Sequence, residues 1–450
     1  MAHGYVATIT RLLQVSPEDI SSTLCFRGIS TDSRTLQPGM IFVALRGEHF
    51  DGHAFIPAAM EKGAVAVISE REESVPHWRV PDTLAAYQQL GRWWRSQFSI
   101  PIIAITGSTG KTSTKDMAAA ALSRYGPVLK SAANHNNDIG LTQTLLQIRS
   151  EHRFVVVEMA MRGHGEIARL ARTAQPTHAL ITNVGTAHIG RLGSITAIAQ
   201  AKCELLEIDS LQTAILNAED PLLLKTAAKV WSGLTLTYGL TQGHVQGQWL
   251  NSDQRVIYRD QSLPVPYPGR HQALNWMGVI ALIQSLSLDL QGLQAPLHVP
   301  ADPEGRNRIL SLSPDLVILD ETYNAAPEAM KAALVQLKDT PGRRHWAILG
   351  PMRELGDFAA SLYAEVGKTA AYQDLHRVLL LDPEGELQPL AAALPPTKVR
   401  VFRDGTALVQ LLLAQVQPGD RILFKAARAI QLERLLQQFL NQWPQPPSGG

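Results

Sequence analysis

The sequence predicts an α/β protein of three domains. These are a small N-terminal α/β domain, a central P-loop-type domain whose mostly parallel sheet carries helices on both faces, and a C-terminal Rossmann-like domain. Three observations predict this class. Short runs of β-branched and aliphatic residues alternate with helical patterns over most of the chain. A glycine turn followed by Lys-Thr separates one such strand from a helix. The 450 residues are enough for roughly two to four domains.

Residues 1–100 predict the small N-terminal domain. Segment 29–56 is rich in Gly, Asp and Ser, as loops are, and is followed by the helix-like stretch AAMEKGA and the strand-like stretch VAVIS.

Residues 101–304 predict the central domain. The strand patterns lie at 102–106, 154–160, 178–184 and 213–217. Helical patterns between them imply a mostly parallel sheet, which binds ligands at the carboxyl ends of its strands. Segment 239–268 interrupts this alternation and predicts a short antiparallel unit.

Residues 305–450 predict a second doubly wound domain. Its strand patterns lie at 315–320, 345–350, 376–381, 398–402 and 421–426. Helical patterns separate them, as in a Rossmann-like sheet. The last eight residues, WPQPPSGG, are expected to fray.

The composition indicates an ordinary globular protein. Hydrophobic residues make up 45% and charged residues 18% of the chain, and the formal net charge is +1. This balance gives no electrostatic reason to bind nucleic acid or an anionic membrane. We expect small-molecule substrates, neither nucleic acid nor membrane as a partner, and a monomer.

Cysteine usage and targeting signals favour a cytoplasmic location. The two cysteines, Cys25 and Cys203, form no CxxC pair. This fits a reducing compartment and excludes a cysteine zinc cluster. The first residues lack a basic region followed by an apolar segment, so no signal peptide is expected. No apolar run approaches the roughly 18 residues that span a bilayer.

The glycine turn after the first central strand predicts a phosphate-binding loop. Its candidate ligands are Gly107, Ser108, Thr109, Gly110, Lys111, Thr112 and Ser113. Glycines let backbone N–H groups approach an anion, a following helix adds its positive end, Lys111 adds a charge, and the Thr112 hydroxyl can bind magnesium. The strict motif would place glycine where Ile105 stands, so the loop is a shorter variant. The alternative is a glycine turn that only packs closely.

Other polar residues follow the central strands. Glu158 ends the second apolar strand and can bind magnesium opposite Thr112; the alternative is a surface carboxylate. His188 follows the next strand, and Lys202 lies on the helix after it. Taken alone, a loop histidine is more often a hydrogen-bonded loop residue than a ligand, and a helical lysine is usually solvated. The amides of Asn134, Asn136 and Asn137 suit a polar substrate but are also common turn formers.

Ten segments in one order resemble the Mur ligase family over nearly the whole chain. They lie at 31–34, 51–55, 106–115, 134–140, 158–167, 183–202, 268–275, 305–310, 320–330 and 350–356. The combination is specific, although no single segment is.

The resemblance implies roles for individual residues. It implies that Lys111, His188 and Lys202 are catalytic. Thr112 and Glu158 would bind a first magnesium ion and His188 a second. Lys202 would be carbamylated and would also bind metal. The other implied contacts are Asn275, Arg306 and Asp320 with ATP, Ser33 and Arg34 with the uridine diphosphate, and Asn134, Asn136, Asn137, Tyr323 and Asn324 with the peptide substrates.

The resemblance also implies a reaction. Its subgroup uses ATP and two Mg²⁺ ions to join D-Ala-D-Ala to UDP-N-acetylmuramoyl-tripeptide through an acyl phosphate, the last cytoplasmic step of the peptidoglycan nucleotide precursor. A ligase that adds the third residue, a folylpolyglutamate-type ligase, a nucleotide-dependent switch and a structural partner protein remain alternatives.

The chain departs from the family pattern at several positions. They are Ala160, Glu321, Ala326, Tyr363 and the KAAR stretch at 425–428. None removes a predicted phosphate or metal ligand, but Ala326 and KAAR lie in the domain that would receive the dipeptide.

Overall fold

The computed structural model describes residues 1–47, 50–299, 305–312 and 314–444. Most of the tail expected to fray, and the predicted boundary at residue 304, lie outside these ranges. No helix in the described ranges is long and apolar enough to cross a membrane.

The N-terminal region forms a small mixed sheet with three α-helices. Its strands are β1 (Gly4–Tyr5), β2 (Pro17–Glu18), β3 (Cys25–Phe26), β4 (Ile29–Ser30), β5 (Ile41–Val43), β6 (Ala66–Ser69) and β7 (His77–Arg79). Its helices are α1 (Val6–Leu13), α2 (Ile56–Glu61) and α3 (Thr83–Arg95). Five strands pair in the order β2-β7-β6-β5-β4, and β1 pairs with β3.

The central region carries a parallel sheet and a separate antiparallel one. Its strands are β8 (Ile102–Thr106), β9 (Val128–Lys130), β10 (Phe154–Glu158), β11 (His178–Ile181), β12 (Thr213–Asn217), β13 (Leu234–Gly239), β14 (Val245–Gln246), β15 (Gln248–Leu250), β16 (Arg255–Tyr258) and β17 (Gln261–Pro264). Its helices are α4 (Lys111–Leu122), α5 (Asp138–Leu145), α6 (Glu166–Ala174), α7 (Ile189–Leu192), α8 (Ile195–Cys203), α9 (Pro221–Ala227) and α10 (Arg270–Ser285).

The order of the parallel strands places the phosphate loop at a switch point. The sheet runs β14-β13-β12-β11-β8-β10-β9, so β8 lies between the two directions of winding. All five β8 residues are buried, as expected for a strand covered on both faces. Ligands of such sheets bind where the winding reverses, beyond the carboxyl ends of the strands. The predicted antiparallel unit is confirmed as β15-β16-β17.

The third region forms a second doubly wound sheet. Its strands are β18 (Arg308–Leu312), β19 (Leu316–Glu321), β20 (Arg344–Leu349), β21 (Arg377–Leu381), β22 (Val399–Phe402) and β23 (Asp420–Lys425). Its helices are α11 (Pro327–Asp339), α12 (Ala359–Tyr372), α13 (Gln388–Ala392), α14 (Gly405–Gln415) and α15 (Leu432–Gln442). The order is β18-β19-β23-β20-β21-β22, with only β18 antiparallel among the described strands.

Helix α3 joins the N-terminal region to the central one by packing on α5 and α6. The buried Arg95 donates hydrogen bonds of 3.1 Å to the carbonyls of Ala174 and Gln175, where α6 ends. These carbonyls have no intrahelical partner, and a cation there also meets the negative end of the helix dipole. The described residues also form 3₁₀ turns at Gly52–Phe55, Glu204–Leu206, Gln291–Leu293, Gly356–Phe358 and Arg428–Ile430.

Two predicted strands end earlier than the apolar patterns suggest. The strand expected at 154–160 ends at Glu158, and the one expected at 178–184 ends at Ile181. Among the residues beyond these ends, Ala160 and Asn183 line the cleft described below.

Candidate functional site

A cleft of about 850 Å³ lies at the carboxyl edge of the central sheet and is closed on the other side by the third domain. The predicted site residues on its wall are Ser108, Thr109, Gly110, Lys111, Thr112, Ser113, Asn134, Asn136, Asn137, Glu158, His188, Asn275, Arg306, Tyr323 and Asn324. The fold therefore gathers most of the predicted residues into one place.

The phosphate loop needs its two glycines because its neighbours are very close. A Cβ on Gly107 would lie 1.9 Å from Thr182 Oγ1, and one on Gly110 would lie 2.6 Å from Asn275 Nδ2. Gly110 also has a φ of +79° and immediately precedes α4. Only glycine combines this conformation with such close packing.

Asn183, which lies two residues beyond the end of β11, fixes the conformation of the turn by hydrogen bonds. Its Oδ1 accepts hydrogen bonds from the Thr109 backbone N–H at 3.0 Å and from the Thr109 hydroxyl at 3.2 Å. Ser108 Oγ donates to the Gly185 carbonyl at 3.1 Å and accepts the Gly185 N–H at 2.8 Å. The loop is thus preformed by the segment that leads to His188.

Lys111 folds back over the loop. Its ammonium donates to the carbonyls of Gly107 at 2.8 Å and Ser108 at 3.1 Å. Burial lowers the pKa of Lys111, and Arg306 adds to this, whereas Glu158 opposes it. A cation already above the turn can meet a phosphate with little rearrangement.

Glu158 and Thr112 form an oxygen-rich pair where β10 ends and α4 begins. Thr112 Oγ1 donates to Glu158 Oε2 at 2.9 Å, and Asn136 Nδ2 donates to Glu158 Oε1 at 2.8 Å. Glu158 is only 2% exposed, so it is not the surface carboxylate of the alternative interpretation. Asn137 instead caps α5, with its side chain accepting the Gly140 N–H at 3.0 Å.

The third domain touches the phosphate loop through Arg306. Its guanidinium donates to Thr112 Oγ1, and it stacks on the Tyr323 ring with its Cζ 3.6 Å from the centroid. Arg428 approaches the same ring at 5.4 Å. Two cations of the third domain therefore lie against one aromatic ring beside the loop.

Amides link α10 to both walls of the cleft. Asn275 Nδ2 donates to Gln272 Oε1 at 3.3 Å, and Gln272 Nε2 donates to Asn307 Oδ1 at 2.6 Å. Asn307 Nδ2 then donates to Ser113 Oγ at 2.8 Å. Because Asn275 also packs against Gly110, the chain of amides returns to the phosphate loop.

His188 lies on the far side of the loop and contacts the third domain. Its Nδ1 is hydrogen-bonded to Glu354 Oε2, and Arg191 Nε donates to Glu354 Oε1 at 3.1 Å. Burial lowers the pKa of His188, with Lys111 and Lys202 adding to this and Glu354 opposing it. Burial alone would raise the pKa of Glu354, but His188, Arg191 and Arg162 lower it overall.

Lys202 is buried behind the cleft, with 2% of its surface exposed. Burial and the neighbouring Lys111 hold its pKa well below the usual value. No hydrogen bond or ion pair joins its ammonium to any part of the chain that the structure describes. A solvated lysine on a helix surface, the alternative interpretation, is therefore wrong.

The remaining predicted residues do not line the cleft. Gly107 lies under the turn. Asp320 is buried behind the wall, where its Oδ1 accepts from the Thr322 hydroxyl at 2.7 Å, and burial raises its pKa. Ser33 and Arg34 lie in the N-terminal region, where Arg34 forms an exposed ion pair of 2.8 Å with Asp32.

Several cleft residues were not singled out from the sequence. They are Gln272, Asn307, Glu328, Glu354 and Arg428. Glu328 Oε1 accepts from the N–H of Thr186 at 2.8 Å and from its hydroxyl at 2.9 Å. Glu328, Glu354 and Arg428 each follow a strand of the third sheet, which was the available signal, but that signal identifies no partner on the opposite domain.

The oxygen and nitrogen donors at the cleft fit magnesium bound together with a nucleotide. No group of three or more His, Cys, Asp or Glu side chains in the described ranges could hold a metal by itself. Magnesium commonly keeps water and substrate phosphates as ligands and takes one or two protein groups. The Thr112–Glu158 pair suits that pattern. The unmodified Lys202 ammonium is a cation and cannot bind magnesium, whereas a carbamate at this position would supply anionic oxygen ligands.

Three family models match the chain. They describe the Mur ligase family catalytic domain at residues 26–130, the Mur ligase middle domain at 105–283 and the Mur ligase glutamate ligase domain at 305–428. The chain belongs to the Mur ligase family.

Two relatives that share one name align with nearly the whole chain. A UDP-N-acetylmuramoyl-tripeptide–D-alanyl-D-alanine ligase of Synechocystis is 46% identical over 445 residues, covering 98% of this chain and 97% of that protein. The Escherichia coli protein of the same name is 33% identical over 423 residues, covering 91% and 92%.

Solved structures agree in fold over almost the full length. MurF from Acinetobacter baumannii superposes with a TM-score of 0.89 at 28% identity, covering 98% of this chain and 100% of that one. MurF from Thermotoga maritima, solved in complex with ADP, gives a TM-score of 0.82 at 29% identity, covering 93% and 98%. The predicted three-domain α/β architecture is confirmed.

Proposed function

We propose that this chain is an ATP-dependent ligase that joins D-Ala-D-Ala to UDP-N-acetylmuramoyl-tripeptide, releasing ADP and phosphate. One observation carries the proposal: a phosphate loop and a polar wall from a separate domain face each other across a single cleft. Such a site can activate a carboxylate on one side and present an amine from the other. The named relatives supply the identity of both substrates.

The phosphate loop is assigned to the ATP polyphosphate. The backbone N–H groups at the start of α4 and the Lys111 ammonium would bind the β- and γ-phosphates. Lys111 would stabilise charge as the substrate carboxylate attacks the γ-phosphorus and ADP leaves, giving an acyl phosphate. Asn275, Arg306 and Asn307 are assigned to the nucleoside side of the cleft.

Two magnesium ions are part of the proposal. Thr112 and Glu158 would hold the first, and His188 with carbamylated Lys202 would hold the second. The ions would offset the charge of the transferring phosphoryl group. Carbamylation fits Lys202 because the burial that lowers its pKa favours the neutral amine, which is the form that adds CO₂.

The three predicted domains divide the work. Residues 1–100, with Ser33 and Arg34, are assigned to the uridine diphosphate end of the donor. Residues 101–304 bind ATP, and Asn134 and Asn136 are assigned to the donor peptide near the phosphates. Residues 305–450 present the amine and exclude water from the acyl phosphate, which hydrolysis would otherwise destroy.

The acceptor is assigned to the wall formed by Tyr323 and Asn324. This segment follows β19 at the carboxyl edge of the third sheet, where doubly wound sheets bind ligands. A dipeptide offers an amide and a terminal carboxylate, and the Asn324 side chain can both donate and accept. The nearby Arg428 guanidinium suits a carboxylate. The third residue of the donor peptide is left open, and we assign a cytoplasmic, monomeric state.

A matrix of substrates tests the proposal. ADP release is measured with UDP-muramoyl-tripeptides carrying diaminopimelate or lysine, each with D-Ala-D-Ala, L-Ala-L-Ala, D-Ala or diaminopimelate as acceptor. We expect release that requires both partners and is fastest with D-Ala-D-Ala. Faster release with a free amino acid would assign the chain to the third-residue-adding group. Release without any acceptor would support the nucleotide-dependent switch.

A further inference from the structure

The segment that carries His188, residues 185–191, comprises a loop and the first residues of α7 and is bound by the third domain. Glu354 accepts from His188 Nδ1 and from Arg191 Nε, and its backbone carbonyl accepts the Gly190 N–H at 3.0 Å. Glu354 follows β20 in the third sheet, whereas the loop follows β11 in the central sheet. One residue of the third domain therefore binds the loop by three separate hydrogen bonds.

The two backbones fit together with little space between them. A Cβ on Gly190 would lie 2.5 Å from Gly356 N, and one on Gly356 would lie 2.8 Å from Gly190 Cα. His188 has a φ of 68° and Glu354 a φ of 62°. Left-handed backbone is unfavourable for residues other than glycine and is kept where the surroundings require it. The conformation of both residues brings their side chains face to face across the domain boundary.

The Glu354 contact determines which ring nitrogen of His188 is available. An ionised carboxylate has only acceptor atoms, so His188 must carry its proton on Nδ1. The lone pair is then on Nε2, the nitrogen free to bind a cation. Metal-binding histidines commonly donate their other ring N–H to a carboxylate, which sets the tautomer and the orientation of the ring.

We propose that Glu354 is a positioning residue that makes His188 competent to bind the second cation only when the third domain is docked. The inference rests on the proposed function, because that function supplies the cation site. The carboxylate belongs to the domain that presents the amine, whereas the histidine belongs to the central domain. The complete cation site therefore depends on the same domain contact as the amine-binding wall.

The test measures cation binding directly. Mn²⁺ replaces Mg²⁺, and bound Mn²⁺ is counted by electron paramagnetic resonance on the full chain with a non-hydrolysable ATP analogue. We expect two Mn²⁺ ions in the parent. Glu354→Ala should raise the Kd of the lower-affinity Mn²⁺ site about 10- to 100-fold and leave the Kd of the higher-affinity site unchanged. Glu354→Gln, whose amide oxygen can still accept from Nδ1–H, should retain most of the affinity.

A double-mutant comparison separates orientation from general damage. Adding Glu354→Ala to His188→Ala should cause no further loss at the weaker site, because the ring that Glu354 orients is gone. Arg191→Ala removes the other partner of the same carboxylate and should change Mn²⁺ binding by less than about threefold. Glu365→Gln, an exposed carboxylate on α12, is the control and should bind Mn²⁺ as the parent does.

Nitrogen NMR of the ring gives a second readout that does not depend on how Glu354→Ala folds. The His188 signals, assigned by their loss in His188→Gln, should show the Nδ1–H tautomer in the parent enzyme. An Nε2–H tautomer, parent-like Mn²⁺ binding in Glu354→Ala, additive losses in the double variant or a single Mn²⁺ site in the parent would each overturn the inference. A parent that ligates its substrates while Glu354→Ala binds Mn²⁺ normally would overturn the inference alone and leave the proposed function intact.

Discussion

The two walls of the cleft are built in different ways. The phosphate loop of the central wall is one continuous segment, residues 107–113, which comprises the turn after β8 and the first residues of α4. The third-domain wall collects Arg306, Tyr323 and Glu354 from three loops and Glu328 from the first turn of α11. Each of these residues contacts the other wall or a neighbour on its own wall. The phosphate-binding groups are therefore specified mainly by one stretch of sequence, whereas their coupling to the amine depends on contacts between domains.

The largest expected effect is at Lys202, behind the central wall. We expect Lys202→Ala to lose more than about 10³-fold in turnover, because a metal-binding anion worth several kcal/mol of charge stabilisation would be missing. Added short carboxylic acids should partly restore ADP release by supplying an anion in the space left behind. A density map of the nucleotide-bound enzyme that shows an unmodified Lys202 facing solvent would contradict the carbamate.

Lys111 tests the central wall itself. We expect Lys111→Ala to reduce ADP release by about 10²–10³-fold, or roughly 3–4 kcal/mol, as for other single charge-stabilising groups. The control is Lys225→Ala, which removes an exposed lysine from α9 and should leave the rate unchanged. Near-normal turnover by a folded Lys111→Ala enzyme would refute the phosphate-loop assignment.

The same contrast explains what the sequence could predict. The phosphate loop was predictable residue by residue because strand, turn and helix are adjacent in the chain. Strand β18 was missed because Arg308–Leu312 is an exposed edge strand without a buried apolar run. The burial of Lys202 was not predictable from residues alone, because it depends on how α8 packs.

The side-chain contacts that position Glu354 were not predictable from the sequence. Tyr363 was noted only as a departure from the family, yet its hydroxyl accepts the Met352 N–H at 2.9 Å and donates to the Met352 carbonyl at 3.0 Å. It thereby holds the loop that presents Glu354 to His188. A single sequence gives no spacing that relates residues 166 positions apart.

Arg306 tests the first bridge between the walls. We expect Arg306→Ala to raise the KM for ATP about tenfold with a smaller change in kcat, because it removes a hydrogen bond and a stacked cation worth about 1–2 kcal/mol together. Initial rates at saturating dipeptide measure this. Arg403→Ala, which removes an exposed arginine of the third domain away from the cleft, provides the matched control. An unchanged KM for ATP would place Arg306 outside the nucleotide site.

Gly356 tests the tight backbone contact between the domains. A methyl group on Gly356 would meet Gly190, so Gly356→Ala should hinder docking and lower kcat/KM for the dipeptide about three- to tenfold, equivalent to roughly 1 kcal/mol. Gly385→Ala is the matched control, because Gly385 also has a positive φ but nothing within 4 Å of its Cβ position. Equal effects of both variants would show that backbone strain, and not docking, is responsible.

The smallest expected effect concerns Ala326, where the family pattern has asparagine. Ala326 is the N-cap of α11, with extended backbone at φ −125° and ψ 156° and no side-chain cap. An asparagine there could accept a hydrogen bond from the free N–H groups of the first turn, so Ala326→Asn should stabilise α11 by about 1 kcal/mol. Because the chain has several domains, hydrogen exchange at the Glu328 and Ala329 amides is a better measure than a global melting temperature.

Asp404→Ala provides the opposite control, since Asp404 caps α14 through the Thr406 and Ala407 N–H groups at 3.1 Å. Slower exchange together with unchanged ADP release would show that Ala326 lowers only the local stability of α11 on the third-domain wall. A simultaneous gain in kcat/KM for D-Ala-D-Ala would instead show that the missing amide also reaches the acceptor.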